Sequence, residues 1–84
     1  MPRRRITFHQ FDIFAAVARH SSFSKAADSL HLTQPAVSLQ IKHIADILGL
    51  PLFEQEGRAV VLTAAGEEVL KTVRELDDVW ARLE

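Results

Sequence analysis

The feature that most constrains the fold of this chain is a pair of helical patterns separated by only three residues. In the first pattern, four residues share one apolar helical face: Phe23, Ala26, Ala27 and Leu30. After the connection 31–33, the second pattern repeats at spacings of four, three and four residues: Val37, Ile41, Ile44 and Leu48. A short helix, a tight turn and a longer helix form a helix-turn-helix, which can present its second helix to the major groove of DNA. Any three-helix core contains such a pair, so this pattern alone leaves a DNA reader and a plain helical domain open.

Polar residues set the bounds of the first two helices. Thr7, with Gln10 three residues later, predicts a capping box and a first helix that runs to about Arg19. Either Ser22 or Ser24 is the N-cap of the second helix. The apolar residues of the first helix recur at helical spacing: Phe8, Phe11, Phe14, Ala15 and Ala18.

The rest of the chain predicts one further helix, a hairpin and a long last helix. Thr33 is the expected N-cap of the third helix, and Gly49 supplies its C-terminal stop. Two short apolar runs around a turn containing Gly57 predict a β-hairpin: Leu52-Phe53 and Val60-Val61-Leu62. Thr63 caps a helix over residues 64–83, a rod of roughly 30 Å at about 1.5 Å per residue. The fold class is therefore mainly α.

The net charge of -1 conceals an asymmetry along the 84 residues. Residues 1–48 hold six Lys or Arg against three acids, whereas residues 49–84 hold four against eight. The halves thus carry +3 and -4, which fits a basic binding half joined to an acidic half with another role. The run Arg3-Arg4-Arg5 is either a phosphate-binding arm or a solvated tail.

Several function classes find no support in the sequence. No HExxH motif, Gly-rich phosphate loop or nucleophile elbow is present, and the four histidines form no suggestive constellation. The chain has no cysteine, so a disulfide framework and a thiolate metal site are excluded. We therefore predict no enzyme, no catalytic residue, no metal and no cofactor. No apolar run approaches the roughly 20 residues that cross a bilayer, so we expect no membrane association. The absence of cysteine makes a reducing cytoplasm the expected location.

The outward face of the third helix is suited to base recognition. Steps of about 100° per residue from Val37 place six residues outward, with Ser38 and Gln40 on the flanks: Pro35, Ala36, Leu39, Lys42, His43 and Asp46. Gln34 can bond an adenine bidentately, and Leu39 can touch a thymine methyl group. The alternatives are an ordinary polar residue of the capping region and a stray exposed apolar side chain. Lys42 would sit nearer a phosphate.

Other candidate backbone contacts lie at helix starts and in the hairpin. Three N-termini offer amides and hydroxyls to phosphate oxygens: Thr7, Ser22 or Ser24, and Thr33. Lys25 strengthens the second of these sites. Arg58, at the tip of the hairpin, either enters the minor groove, meets the DNA backbone or is a solvated turn residue.

The stretch from Ser22 to Gly49, SFSKAADSLHLTQPAVSLQIKHIADILG, followed by LPLFEQ and LTAAG, resembles the N-terminal region of LysR-type transcriptional regulators. The elements SFSKAA, LTQPAVS, LGLPLF and LTAAG occur in the family's order and spacing, and the resemblance covers nearly the whole chain. ITFHQ, VARH, LTQPAVS and GLPLFEQ look most like the subgroup that controls carbon-fixation (Rubisco) operons.

This resemblance implies a winged helix-turn-helix over residues 1–63 and a linker or dimerisation helix over residues 64–84. It also implies sequence-specific binding of promoter pseudo-palindromes by a homodimer associated with the bacterial nucleoid, and a tetrameric full-length protein. The effector-binding domain of the family is expected to be absent from this chain, so a small-molecule effector would act only through that domain.

Position by position, the resemblance places Gln34, Pro35 and Ser38 in the major groove and makes the hairpin around Arg58 the wing. It puts four residues near phosphates: Ser22, Ser24, Lys25 and Thr33. Two positions depart from the family's pattern, because Leu39 and Gln55 stand where many members have a basic residue. The loss of two positive charges should weaken the phosphate term and alter base preference.

The last helix carries a coiled-coil seam at spacings of four, three, four and three residues: Val69, Val73, Leu76, Trp80 and Leu83. The seam either folds back on the first helices or meets the same helix of another copy. The resemblance favours the second arrangement, with Trp80 as a hot spot. By itself the seam also suits a helical protein-interaction module, which would show no duplex affinity at low salt.

Overall fold

Each helix of the chain begins directly after a hydroxyl-bearing residue. The computed structural model describes residues 5–84, so Arg3 and Arg4 of the basic run lie outside the described residues. The elements are α1 (Phe8–His20), α2 (Phe23–Leu30), α3 (Gln34–Leu48), β1 (Phe53–Glu56), β2 (Ala59–Leu62) and α4 (Ala64–Leu83). Their order and type confirm the predicted mainly α fold with a two-stranded hairpin and a long last helix.

The N-caps follow one chemical scheme, in which a side-chain oxygen accepts from the backbone N–H three residues later. The four caps are Thr7, Ser22, Thr33 and Thr63. At α1 the predicted capping box is complete, because the Gln10 side chain also accepts from the Thr7 N–H. Ser22 rather than Ser24 caps α2, and the two hydroxyl oxygens lie 3.1 Å apart.

The C-termini of the first three helices end in the left-handed conformation. Gly49 closes α3 with a φ of 76°, as its missing Cβ allows. Ser21 and His31 close α1 and α2 with φ values of 51° and 57°. These two side chains carry a steric cost that glycine would not, about 1 kcal/mol or more each.

The core lies where α1, α2, α3 and the first half of α4 meet. Its buried residues include Ile13, Phe14, Ala16, Val17, Ala26, Ala27, Val37, Ile41, Ile44, Leu52, Val69 and Val73. Ala26 and Ala27 are fully or almost fully buried, in keeping with the close helix approach that their small side chains permit. Phe53 of β1 adds an aromatic cluster, with its ring 5.1 Å from that of Phe14 and 5.9 Å from that of Phe23.

Two residues of the apolar helical patterns, the predicted inward Leu48 and Phe8 of the first helix, are exposed. Leu48 is 44% exposed, because α3 extends past the core at its last turn, and Ala45 packs against the core partly buried. Phe8 is 65% exposed, because α1 turns Ile13 and its neighbours toward the core. At both helix ends the periodic apolar face continues beyond the surface that can cover it, so burial of Leu48, predicted from spacing, is wrong.

The hairpin is antiparallel, with Phe53 opposite Leu62 and Glu56 opposite Ala59. Gly57 opens its two-residue turn with a φ of 63°, which suits a tight hairpin. The Val60 N–H donates to the Ser21 carbonyl at 3.0 Å, so β2 is fixed to the turn between α1 and α2. Packing of this kind stabilises a two-stranded hairpin that would be marginal alone.

Candidate nucleic-acid interface

The outward face of α3 is exposed as the sequence predicts. The five residues singled out on this helix are all exposed: Gln34, Pro35, Ser38, Leu39 and Lys42. Val37, Ile41 and Ile44 are buried on the opposite side, so the two faces are cleanly divided. Leu39 is 51% exposed and lies among polar side chains. The first two turns of α3 therefore present small, amide and apolar groups and no charge.

Lys42 is the first cation along this face. Its Nζ lies 3.0 Å from Asp46 Oδ2, one turn further on, and both side chains are more than half exposed. An exposed pair of this spacing contributes only about 0.3–0.5 kcal/mol. The Lys42 ammonium can therefore leave Asp46 for a phosphate oxygen at small cost.

The starts of α2 and α3 both face solvent. Ser22 Oγ accepts from the Lys25 N–H at 3.1 Å, and Thr33 Oγ1 accepts from the Ala36 N–H at 3.2 Å. Ser24 and Lys25 are exposed in the first turn of α2. Each helix start retains amides that the cap does not use, and these carry the positive end of the helix dipole. The arrangement is suited to anionic oxygens.

The wing, defined as residues 53–62, exposes Arg58 at its tip. The exposed Gln55 side chain bonds back onto the hairpin turn. Its Nε2 donates to the Gly57 carbonyl at 3.0 Å. Gln55 carries no charge, so Arg58 is the one cation within residues 53–62, and its side chain is exposed.

A side-chain bridge that the sequence did not predict joins α1 and α3. Gln10 Nε2 donates to Gln40 Oε1 at 3.0 Å, across 30 residues of sequence. The same Gln10 amide accepts the Thr7 N–H through its Oε1 atom at 2.9 Å. No local sequence pattern predicts this contact, and the sequence indicated only the capping-box role of Gln10.

The predicted seam on α4 divides into two parts. Val69 and Val73 are buried in the chain's own core, at 8% and 4% exposure, so these two side chains have little surface left for a partner. Leu76 is half-buried, and Trp80 and Leu83 are exposed. The Trp80 ring lies 6.1 Å from that of Phe8, so it packs partly on α1.

An apolar groove lies beside this helix, between α1, the end of α3 and the first half of α4. We call it the α1–α4 groove. It encloses roughly 380 Å³ and is lined by Ile6, Phe11, Leu48, Leu50, Ala65, Glu68, Val69 and Thr72. Its floor includes two leucines that are about half exposed, Leu48 and Leu50.

The described residues show no sign of a metal centre. No three His, Asp or Glu side chains in residues 5–84 converge on a common point where a metal ion could bind. His20 differs from the other three histidines in being half-buried, and its Nε2 is buried without a hydrogen-bond partner among these residues. A single imidazole does not make a catalytic site.

The matched family settles what this architecture belongs to. The family model of the bacterial regulatory helix-turn-helix protein, lysR family, matches residues 8–67, from the first residue of α1 into the first turn of α4. The chain belongs to the LysR family. Its fold and family are those of a transcriptional regulator's DNA-binding domain and not of an enzyme. The predicted family and the prediction that the chain is not an enzyme are both confirmed.

Two named transcriptional regulators are similar in sequence to this LysR-type domain. The RuBisCO operon transcriptional regulator of Acidithiobacillus ferrooxidans is 50% identical over 78 residues, which are 93% of this chain and 25% of that protein. The HTH-type transcriptional regulator CbbR of Rhodospirillum rubrum is 65% identical over 65 residues, 77% of this chain and 22% of that protein. The chain thus spans about a quarter of the length of these relatives. The predicted resemblance to carbon-fixation regulators is confirmed.

A solved LysR-type complex shares the fold of this domain. The crystal structure of the CbnR DNA-binding domain with DNA superposes with a TM-score of 0.83 at 34% identity, covering 90% of this chain and 87% of that one. The likeness supports DNA binding by the winged helix-turn-helix. Within residues 5–84, every helix is too short or too polar to span a membrane.

Proposed function

We propose that this LysR-type domain reads a promoter pseudo-palindrome as a homodimer, with one α3 helix in the major groove of each half-site. The observation that carries the proposal is the exposed, uncharged N-terminal half of α3, flanked by two solvent-facing helix starts and the wing. A face without charged bulk allows backbone and short side chains to approach base edges closely. The surrounding amides and cations supply the phosphate contacts that fix its register.

The residues then divide into two groups by the chemistry that they offer. Base contacts come from the exposed face of α3: Gln34, Pro35, Ser38 and Leu39. Backbone contacts come from hydroxyls, helix starts and cations: Ser22, Ser24, Lys25, Thr33, Lys42 and Arg58. With Leu39 and Gln55 uncharged, this interface depends less on counterion release than one that carries arginine at both positions.

The second copy is expected to cover the exposed side of α4. Val79 is 54% and Leu83 is 75% exposed, and Thr72 at the edge of the α1–α4 groove begins a series on α4 that reaches them through Leu76. The four residues are spaced by four, three and four, and Leu76 borders Phe8 and Trp80. These spacings are those of a two-helix seam. The seam predicted from the sequence included Val73, but Val73 is buried in the core of its own chain. The face proposed here therefore lies further around α4. Trp80 borders the interface from the α1 side.

We propose the domain boundary that the sequence predicts, with residues 1–63 as the DNA-reading domain and residues 64–84 as the linker helix. In the complete regulator, a separate effector-binding domain would respond to a small molecule, and two dimers would form a tetramer. The named function of its relatives directs the choice of target, since one of them is a RuBisCO operon regulator. We therefore propose that the regulated genes include those of CO2 fixation, in the cytoplasm and at the nucleoid.

The test is binding of this chain to duplexes from a carbon-fixation promoter and from the promoter beside its own gene, at several salt concentrations. We expect a footprint with two half-sites about one helical turn apart or a multiple of that spacing, and an affinity that falls steeply as salt rises. Gln34→Ala should reduce discrimination at one base position by about 1–3 kcal/mol. Lys71→Ala, which removes an exposed charge of α4, is the control and should leave discrimination unchanged.

Two outcomes would contradict the proposal. Equal binding of promoter and scrambled duplexes by the unaltered chain would remove sequence-specific reading. No duplex affinity at low salt would instead favour the helical interaction module that the α4 seam also suits.

A further inference from the structure

The bridge between Gln10 and Gln40 fixes which end of the Gln40 amide remains free. The Thr7 backbone N–H is a donor and cannot be anything else, so the Gln10 atom that faces it at 2.9 Å must be the acceptor Oε1. The other end of Gln10 is then the donor Nε2. Its partner at 3.0 Å must be an acceptor, which makes it Gln40 Oε1. The chain of bonds thus orients both amides without ambiguity.

The free end of Gln40 is therefore its amino group. Gln40 Nε2 makes no hydrogen bond within residues 5–84, and the one buried side-chain nitrogen or oxygen without a partner in that range belongs to His20. The amino group of Gln40 is consequently accessible to solvent. It offers donors and no acceptor, whereas a free glutamine offers both.

The position of Gln40 on α3 places this amino group beside the exposed face of the helix, which we call the reading face: Gln34, Pro35, Ser38 and Leu39. Leu39 and His43, its neighbours on the outward side, are exposed, and Ala36 lies one turn nearer the N-terminus. Gln40 stands on the flank of α3 that meets α1, where its carbonyl end bonds Gln10 and its amino group stays free beside the exposed residues.

We propose that Gln40 is a specificity-determining residue that donates from Nε2 to an acceptor atom of bound DNA, and that Gln10 is the positioning residue that holds it in the donor orientation. This inference rests on the proposed reading role of α3. The acceptor is either a base-edge atom, such as guanine O6 or N7 or thymine O4, or a phosphate oxygen. Both sources share the acceptor chemistry that a fixed amino group selects.

Replacement of Gln10 by glutamate reverses the orientation without removing the cap. Gln10→Glu retains an oxygen for the Thr7 N–H, and a glutamate at this position is a standard capping-box residue. The second carboxylate oxygen now faces Gln40 and can only accept. Gln40 therefore turns its amide over, donates to the new carboxylate and presents Oε1 to the DNA in place of the amino group.

The experiment compares three variants of this chain by binding to a set of operator duplexes in which each base pair is changed in turn. Gln10→Glu carries the reversal and Gln40→Ala removes the amide. His9→Glu is the matched control, because it adds the same charge at the neighbouring exposed position and leaves the bridge intact. Thermal unfolding establishes that all three variants fold.

For a base-edge acceptor, Gln10→Glu should change the preferred base at one position from guanine or thymine to adenine or cytosine, by about fivefold in affinity. Gln40→Ala should lose the preference at that same position. For a phosphate acceptor, both variants should weaken all duplexes equally, and Gln10→Glu should do so more than His9→Glu. Either result supports the proposal.

The proposal is overturned if Gln10→Glu matches His9→Glu on every duplex and Gln40→Ala matches the unaltered chain. In that case the unaltered chain would still distinguish operator from scrambled duplex, so only the role of the bridge fails. If the unaltered chain makes no such distinction, the reading role of α3 fails first.

Discussion

Gly66 packs directly beneath the backbone carbonyl of Leu52. A Cβ on Gly66 would overlap the Leu52 oxygen and would lie 2.8 Å from Leu62 Cδ2. The first turn of α4 thus rests on the segment that enters the wing, and Thr63 adds two hydrogen bonds at the same junction, from its N–H to the Leu52 carbonyl and from its hydroxyl to the Pro51 carbonyl. The junction between the wing and α4 depends on this close approach.

The first prediction follows from that contact. Gly66→Ala should destabilise the fold by about 2 kcal/mol, because overpacking against backbone outweighs the better helix propensity of alanine. Thermal unfolding at fixed protein concentration should show a decrease in Tm of about 10 °C. A variant as stable as the parent would contradict the contact. Ala64→Gly, an exposed change in the same turn, is the control and should cost less than about 1 kcal/mol.

The second prediction concerns the end of α2. His31 is exposed and left-handed, with a φ of 57°, so His31→Gly relieves a steric cost. We expect a net gain of about 0.5 kcal/mol in the free energy of unfolding, since glycine also adds entropy to the unfolded chain. The matched control is His43→Gly, at an exposed right-handed position inside α3, which should lose about 1 kcal/mol in urea unfolding. Equal effects of the two changes would remove the conformational explanation.

The third prediction concerns a positive charge added at position 39 of α3. Leu39→Arg should strengthen binding to scrambled duplexes, because the longer cationic side chain can reach a phosphate oxygen beside the bases that Leu39 meets in the proposed mode. The plot of log K against log salt concentration should steepen by about 0.9, the value for one added phosphate contact. Ala81→Arg, on the outer side of α4, adds the same charge as a control. A salt dependence that changes equally in both variants would show that position 39 lies away from the DNA.

The fourth prediction separates the two sides of α4. Val79→Glu should disrupt the proposed homodimer in sedimentation experiments, because it buries a carboxylate between the two α4 helices. Ala81→Glu introduces the same charge two residues later, on the opposite side of the helix, and should leave the dimer intact. If both variants remain dimeric at the concentration at which the parent dimerises, the seam lies elsewhere.

Local chemistry in the sequence predicted the element bounds closely. Thr33 and Thr63 mark the starts of α3 and α4 as predicted, because capping is a contact between near neighbours in the chain. The choice between Ser22 and Ser24 needed the structure, since both have the required hydroxyl.

Long-range packing could not be predicted in the same way. Periodicity placed Val73 and Trp80 on one apolar stripe of α4, but it could not tell which part of a wide stripe the chain's own α1 would cover. The Gln10–Gln40 bridge joins residues 30 positions apart, and glutamine is a common polar residue with no pairing pattern. Both features are decided by how the helices pack, which no short window of sequence contains.

The hydrogen bond from Val60 to the Ser21 carbonyl has a consequence for the operator rather than for the protein. Because it ties the wing to the turn that precedes α2, Arg58 and α3 are held at a fixed separation. In the proposed binding mode, this fixed separation would set the distance along the double helix between the base pairs met by α3 and those beside the wing. A base change in a half-site would remove one contact, but insertion of a single base pair between the positions met by α3 and by the wing would displace all contacts on one side. Evolution of such an operator can substitute bases more easily than it can alter their spacing.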